Sequence, residues 1–302
     1  MAETYTYQNH FPRQDFRLFV EVLELHTPTI KEHAHEFSEL VVILAGQARH
    51  WINGEEYPLS AGDVFVIKGN DLHAFYDAGG LRVCNMLYDP DQFLRAGGDV
   101  QRLPGFHALF YLEPHYRSRD RFQSRLHLTR EEMPWLAEMI ARMQAECQER
   151  APGYESMLRA SFNAVLVYVS RLYSRQRDPA AAGLLRLSKV LSHLEEHIDE
   201  PLNLDGLARL AHMSKNHLLR VFKQCYKTTP GDYLIRLRLA RAVEMMRLPG
   251  RTLTEIAFAA GFGDSNYFSR QFRKIYGQTP REFRQALLAD TAEARKVTAT
   301  IG

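Results

Sequence analysis

The feature that most constrains this 302-residue chain is that its last third repeats itself. The segment LARLAHM, residues 207–213, returns 49 positions later as IAFAAGF, residues 256–262, with Ala208/Ala257 and Ala211/Ala260 identical. Beyond that point the shift becomes 50, and Arg220/Arg270, Phe222/Phe272, Tyr226/Tyr276, Thr229/Thr279 and Pro230/Pro280 are identical pairs. One extra residue in the second copy's turn accounts for the change. Each copy reads as a helix-turn-helix: a short helix with alanine at close-contact positions, a tight turn, a cap residue and a second amphipathic helix. Ser214 and Asp264 stand where an N-cap oxygen accepts an otherwise unpaired amide.

The two second helices share a division of faces. Leu218, Val221 and Phe222 lie on one side of the first, as do Phe268 and Phe272 in the other. The opposite side carries Lys215, Asn216, Arg220 and Lys223 in the first copy, and Ser265, Asn266, Ser269, Arg270 and Arg273 in the second. These are donors of the kind that reach base edges and phosphates. One such helix is most simply a solvated face, but two in tandem within a basic region point to DNA. From Leu184 onward there are 19 Lys and Arg against 12 acidic residues, whereas the first 183 residues hold 19 against 24. A basic module joined to a slightly acidic one is the charge pattern of a polyanion-binding domain fused to something else.

The first part of the chain has a different texture. From about residue 16 to 90, short β-rich segments are punctuated by turn formers, and Asn53-Gly54 is a type I′ hairpin signal. Many short strands at this spacing predict a small barrel or sandwich. Two amphipathic helices follow, over Glu131–Glu149 and Ser156–Arg175. The polar, small-residue stretch 175–183 is expected to be a linker, and everything from Leu184 to about Ala289 is helical by period. Cys84, Cys147 and Cys225 are too far apart for a zinc spacing and read as small buried hydrophobes. The apolar runs fall well short of the ~20 residues a bilayer needs. The polar N-terminus lacks the apolar stretch of a secretion signal, so the expected location is the cytoplasm, with no membrane partner.

The stretch HAHEFSELVVILAG, residues 33–46, concentrates the chemistry of this half. On a strand, His33 and His35 share a face. This stretch resembles the first cupin motif, and by that resemblance His33, His35, Glu39 and His73, three imidazoles and a carboxylate, form a set that would suit a divalent transition metal with open positions. They equally suit a metal-free pocket in which imidazole and carboxylate hydrogen-bond sugar hydroxyls, or a packed barrel in which the histidines satisfy one another. The candidate pocket set is His33, His35, Glu39, Trp51, His73 and Asn85, with Trp51 either stacking on a sugar face or packing in the hairpin.

The segment IAFAAGFGDSNYFSRQFRKIYGQTPREFR, residues 256–284, is very similar to the C-terminal signature of the AraC/XylS transcriptional regulators. The resemblance takes in both helix-turn-helix units and the helix joining them, around Leu234 to Arg247. It implies that the two recognition helices enter successive major-groove segments on one face of double-stranded DNA. The family's contacts then fall on Asn216, Leu219, Arg220, Lys223, Ser265, Asn266, Ser269 and Arg270. Leu219 departs from the polar residue often found there and would read a thymine methyl or nothing. The N-terminal half resembles a cupin: His33, His35, Glu39 and Gly46 fit HxHx3Ex6G. Gly62 and His73 hold their places in the second motif, while Lys68, Asn70 and Asp77 depart from it. By that resemblance the four metal-binding residues of cupin enzymes are present. Within the regulator family, FSELVVI, NMLYDPDQF and DSNYFS look closest to the activators of L-rhamnose operons, which implies a monosaccharide effector, L-rhamnose in the first instance.

The expectation is therefore an α+β chain of two domains. Residues 1–174 form a cupin-type β-barrel with following helices, for sensing and dimerisation; 175–183 form the linker; 184–302 form an all-α domain of two helix-turn-helix units. Its expected function is sequence-specific transcriptional regulation, as an activator of sugar-utilisation genes, controlled by a small carbohydrate in the barrel. No cofactor is required on this reading. The two post-barrel helices are either barrel cover or, as the family resemblance implies, the seam of a homodimer, and RNA polymerase is a further expected partner. The alternative is a metal-dependent cupin enzyme fused to a DNA-binding domain; the fusion itself argues against it.

Overall fold

The computed structural model describes residues 3–94, 99–120, 125–176, 179–247 and 250–287. The chain divides into two compact units, Met1–Ser192 and His193–Gly302.

Among the described residues, the first unit has ten strands: β1 (Glu3–Tyr5), β2 (Leu18–Leu25), β3 (Thr29–His35), β4 (Ser38–Ala45), β5 (Gln47–Ile52), β6 (Glu55–Ser60), β7 (Asp63–Ile67), β8 (His73–Tyr76), β9 (Leu81–Tyr88) and β10 (Leu126–His127). They form two five-stranded sheets, ordered β1-β3-β8-β5-β6 and β10-β7-β4-β9-β2. The inner faces meet in one core. Val41, Ile43, Phe65, Ile67 and Val83 come from the second sheet, and Ala48, Ile52, Tyr57, Leu59 and Phe75 from the first. The β5–β6 hairpin turns at Asn53 and Gly54 with φ of 48° and 96°, the left-handed pair that a type I′ turn demands.

Helices cover the outside: α1 (Tyr7–His10), α2 (Pro90–Phe93), α3 (Pro104–His107), α4 (Glu113–Asp120), α5 (Met133–Glu149) and α6 (Tyr154–Ser174). A π-helical turn, Ala108–Leu112, joins α3 to α4 and makes 104–120 one helical run, which the sequence analysis did not anticipate. The expected stripes of α5 and α6 are buried, including Leu136, Ile140 and Met143 on one and Phe162, Val165 and Val169 on the other. α5 packs on β2 and α6, and α6 packs on α3, so these stripes are used inside the unit. Burying one such side chain stabilises the fold by roughly 1.5–3 kcal/mol.

Residues 175–183 do not form a uniform linker. Arg175 closes α6, positions 177–178 lie outside the described residues, and α7 (Pro179–Glu196) starts at Pro179. Proline is at home in a first helical turn, and the alanines after it favour helix.

The second unit consists of α8 (Leu204–Leu210), α9 (Lys215–Tyr226), α10 (Pro230–Met246), α11 (Leu253–Ala259) and α12 (Ser265–Tyr276), followed by helical residues 280–287. α8 and α11 start 49 residues apart and α9 and α12 start 50 apart, as the repeat requires. Ser214 and Asp264 cap α9 and α12 by accepting from the amides of His217 and Tyr267. Lys227 and Gly277, also 50 apart, end those helices in the left-handed conformation. Leu239, Ala242 and Met246 of the connecting α10 pack with Ile256, Ala257, Phe262, Phe268 and Phe272.

Candidate functional site

Inside the barrel, period-two alternation decides which side chains meet. His33 and His73 are cross-strand partners, and His35 lies two residues beyond His33 on the same face. From the opposite sheet, Glu39 on β4 pairs with Leu87, and Asn85 on β9 pairs with both Val41 and Glu21. Val41 belongs to the inner core, so Asn85, Glu39 and Glu21 share the inward face. The result is an imidazole wall on one sheet facing a carboxyl and amide wall on the other.

The ligand-capable atoms of His35, Glu39 and His73 lie within 4.8 Å of one another. His33, expected as a fourth member, is not among those three. Its Nδ1 donates to the Lys31 carbonyl at 2.8 Å, and its ring leans on His73 with centroids 4.2 Å apart. The His35 Nδ1 donates to the Phe37 carbonyl at 2.6 Å, which fixes the tautomer and leaves Nε2 as a bare acceptor 3.5 Å from Glu39. Trp51 is not in the interior. The burial of β5 alternates so that Ala48, His50 and Ile52 face in and Trp51, only half-buried, faces the other way. His50 takes the place expected for it, with its ring 5.7 Å from His73. Glu21 and His50 are the members the sequence analysis missed. His50 could have been found by counting alternate residues back from the hairpin turn.

Burial governs the protonation of this set. It pushes the His35 pKa down to about 4 and holds His73 and His50 well below the usual imidazole value. It raises the Glu39 carboxyl to about 8, with the neighbouring Glu21 adding to the effect. His35, His73 and His50 are thus neutral at pH 7 and Glu39 is mostly protonated. Among the described residues, His35 Nε2, both ring nitrogens of His73, His50 Nε2 and Asn85 Oδ1 are buried without a hydrogen bond. β1 runs parallel to β3 along this edge, pairing Glu3 with His33 and Tyr5 with His35.

In the second unit, the side chains expected to meet DNA stand on two equivalent faces. Lys215, Asn216, Arg220 and Lys223 are exposed on α9, and Asn266, Ser269, Arg270 and Arg273 on α12, while Leu219 and Ser265 are half-buried. Lys215 is held by Asp205 at 2.8 Å, and the Ser269 hydroxyl donates back to the Ser265 carbonyl at 2.9 Å. The Arg270 guanidinium lies 5.9 Å from the centre of the Tyr267 ring. His217 and Tyr267, which also belong to these faces, are exposed at the same position of the repeat. The 50-residue shift was the signal that could have found them.

Residues 207–286 match the model of a helix-turn-helix domain, and residues 19–161 match that of an AraC-like ligand binding domain. The HTH-type transcriptional activator RhaS of Enterobacter sp. (strain 638) is 32% identical over 260 residues, covering 84% of this chain and 87% of that one. The chain belongs to the AraC family of transcriptional regulators. Another family member, the HTH-type transcriptional activator RhaR of Mannheimia succiniciproducens, is 27% identical over 261 residues, covering 86% of this chain and 89% of that one. A solved AraC-type transcriptional regulator from Chromobacterium violaceum is 34% identical, covering 35% of this chain and 96% of that one, with a TM-score of 0.33. As a member of this family the chain is a DNA-binding regulator, not an enzyme. No described helix is long and apolar enough to cross a membrane.

Proposed function

We propose that this regulator activates sugar-utilisation genes under the control of a small neutral carbohydrate bound inside the barrel. The observation that carries the reading is the set of buried, uncharged and unsatisfied polar atoms on His35, His73, His50 and Asn85 among the described residues. A neutral imidazole offers one N–H donor and one bare nitrogen acceptor, and an amide an accepting oxygen and a donating NH2, all at fixed positions. A polyol can satisfy several of them at once, whereas an anion would find no cation among these side chains. L-Rhamnose is the first sugar to try, on the resemblance to the rhamnose-operon branch.

Binding would act as a population shift, in which the sugar favours one state of the regulator over another by its difference in affinity for the two. On the DNA side, Asn216, Leu219, Arg220 and Lys223 would serve the first recognition helix, and Ser265, Asn266, Ser269, Arg270 and Arg273 the second, with Lys215 released from Asp205 to a phosphate. The protein would work in the cytoplasm as a homodimer in contact with RNA polymerase. The apolar stripes of α5 and α6 are already buried, so the seam would use what those helices leave exposed, Trp135 and Met157 included.

A second reading rests on the closeness of His35, Glu39 and His73. Two imidazoles and a carboxylate form a donor set that fits a divalent transition metal. Those three residues would hold it, and it would supply a Lewis-acidic anchor for a ligand hydroxyl. The experiment is elemental analysis of the purified protein, followed by thermal shift against a monosaccharide panel with and without chelator. A sugar that raises Tm in metal-free protein supports direct recognition by the side chains. Stoichiometric metal whose removal abolishes the shift supports the metal-anchored form. No shift with any sugar would overturn carbohydrate control.

A further inference from the structure

The barrel unit holds a second set of buried polar atoms that the effector reading leaves unused. Glu113 and Arg117 lie one turn apart on α4, and their side chains are 0% and 1% exposed. Arg117 Nε and Glu113 Oε1 stand 3.6 Å apart, past hydrogen-bonding distance. Both oxygens of Glu113, and Nε and Nη1 of Arg117, make no hydrogen bond among the described residues. Nη2 of Arg117 donates to the Val66 carbonyl.

This pair adjoins the imidazole wall. The Tyr57 hydroxyl donates to the Arg117 carbonyl at 2.7 Å, and Tyr57 is the cross-strand partner of His50, so the phenol rises from the same inner face as the histidines. The rings make a continuous path. His73 to His50 is 5.7 Å, His50 to Phe65 is 5.1 Å, and the Arg117 guanidinium lies 5.2 Å from the Phe65 centroid. His50, whose Nε2 is unsatisfied among the described residues, packs on His73 at one side and on the Phe65 ring that Arg117 lies against at the other.

A buried ion pair is stable only when its remaining donors and acceptors are satisfied. Here four polar atoms wait for a guest, and the guest's charge is constrained. Glu113 and Arg117 are opposite charges, and the charges next to them also pair off, Lys68 and Arg125 against Asp71 and Asp63, so an ion would bring an uncompensated charge into the interior. Hydroxyl groups suit both ends, because each can donate to a carboxylate and accept from a guanidinium. We propose that Glu113, Arg117 and His50 form an inner hydroxyl-binding subsite, which takes the far end of a polyhydroxylated neutral effector whose near end meets His35, Glu39 and His73. The proposal rests on the carbohydrate reading and adds to it: a molecule with hydroxyls at one end only cannot fill both sets.

The test is calorimetric titration of the full-length protein with L-rhamnose, L-fucose, D-xylose and D-glucose, followed by Glu113→Gln with the sugar that binds. The substitution keeps the size and removes the charge, and Kd is expected to rise about tenfold or more. One deoxy analogue of that sugar should lose a similar factor on the wild type and nothing further on the variant, a coupling that general loosening of the barrel would not produce. An unchanged Kd in the variant overturns the subsite and leaves carbohydrate control standing. If the variant does not fold, a crystal structure of the wild type with the sugar decides. A sugar oxygen within hydrogen-bonding distance of Glu113, Arg117 or His50 supports the subsite, and a sugar confined to His35, Glu39 and His73 overturns it. If the wild type binds none of the panel, the carbohydrate reading has failed and the subsite falls with it, a result visible without any variant.

Discussion

The two helix-turn-helix units solve the same backbone problem with different residues. Each turn passes through the left-handed region at equivalent positions, His212 with φ of 53° and Gly261 with φ of 96°. His212 is exposed, so the first turn has room for a side chain. At Gly261 a Cβ would come 2.7 Å from the Ile198 carbonyl oxygen and 2.9 Å from the Asp199 Cα. That closeness places the second turn beside the segment that Arg238 grips from α10, donating to the Ile198 carbonyl at 2.7 Å and the Glu200 carbonyl at 2.5 Å. In one copy the conformation is tolerated; in the other it is needed for packing. The entrances differ too. Thr252 and Glu255 close a capping box at the start of α11, whereas Asn203 caps α8 alone, because the residue three further on is Gly206 and has no side chain to reach back.

The strongest way to break this contrast is a matched pair of alanines. Gly261→Ala should destabilise the second unit by about 2–4 kcal/mol, from strain plus the blocked Cβ, while His212→Ala should stay within about 0.5 kcal/mol. Urea midpoints of the two variants check this, and equal shifts would erase the distinction. Next come the recognition faces. Arg220→Ala and Arg270→Ala should each weaken operator binding by about 1–3 kcal/mol at fixed salt. A loss confined to Arg270 would mean that the first copy only positions the protein. Cap removal is smaller, with Ser214→Ala and Asp264→Ala each expected to lower stability by about 1 kcal/mol. Asp264 is worth slightly more because its carboxylate brings a negative charge to the positive end of the helix dipole, which the Ser214 hydroxyl does not. The smallest effect is pH-dependent. The Thr252 amide, then its hydroxyl, hold the Glu255 carboxyl below the usual carboxylate range. Its stabilisation is therefore present above the ordinary carboxylate pKa and lost as pH falls through the lowered value. Glu255→Gln should flatten the fall of Tm between about pH 5 and pH 3, and parallel Tm profiles would show that the box contributes nothing.

The repeat was readable because its determinants are local: caps, turn residues and a helical period written twice. His33, His35, Glu39 and His73 were readable as a group because their spacing is that of strands and turns. Glu21 was not. Its strand β2 has Val20 buried on the side that α5 packs against, while Phe19 and Glu21 are half-buried on the other, so both faces carry apolar residues and the alternation loses contrast. Trp51 was open to two readings, stacking on a sugar or packing in the hairpin, and the Asn53-Gly54 turn favours the second because it gives the inward side of β5 to His50 and Ile52. The helical run 104–120 escaped notice because a π turn interrupts its 3.6-residue period. Glu113 and Arg117 went with it.

The placement of tryptophan gives this molecule an optical asymmetry. The chain has two, Trp51 and Trp135, and both belong to the barrel unit. Trp51 sits on the strand that also presents His50 to the interior, and the Trp135 ring lies tilted at 31° against Tyr168 with centroids 4.2 Å apart. Excitation at the red edge of protein absorbance therefore illuminates the effector-binding unit alone, and the unlabelled regulator carries its own reporter for one half of its work.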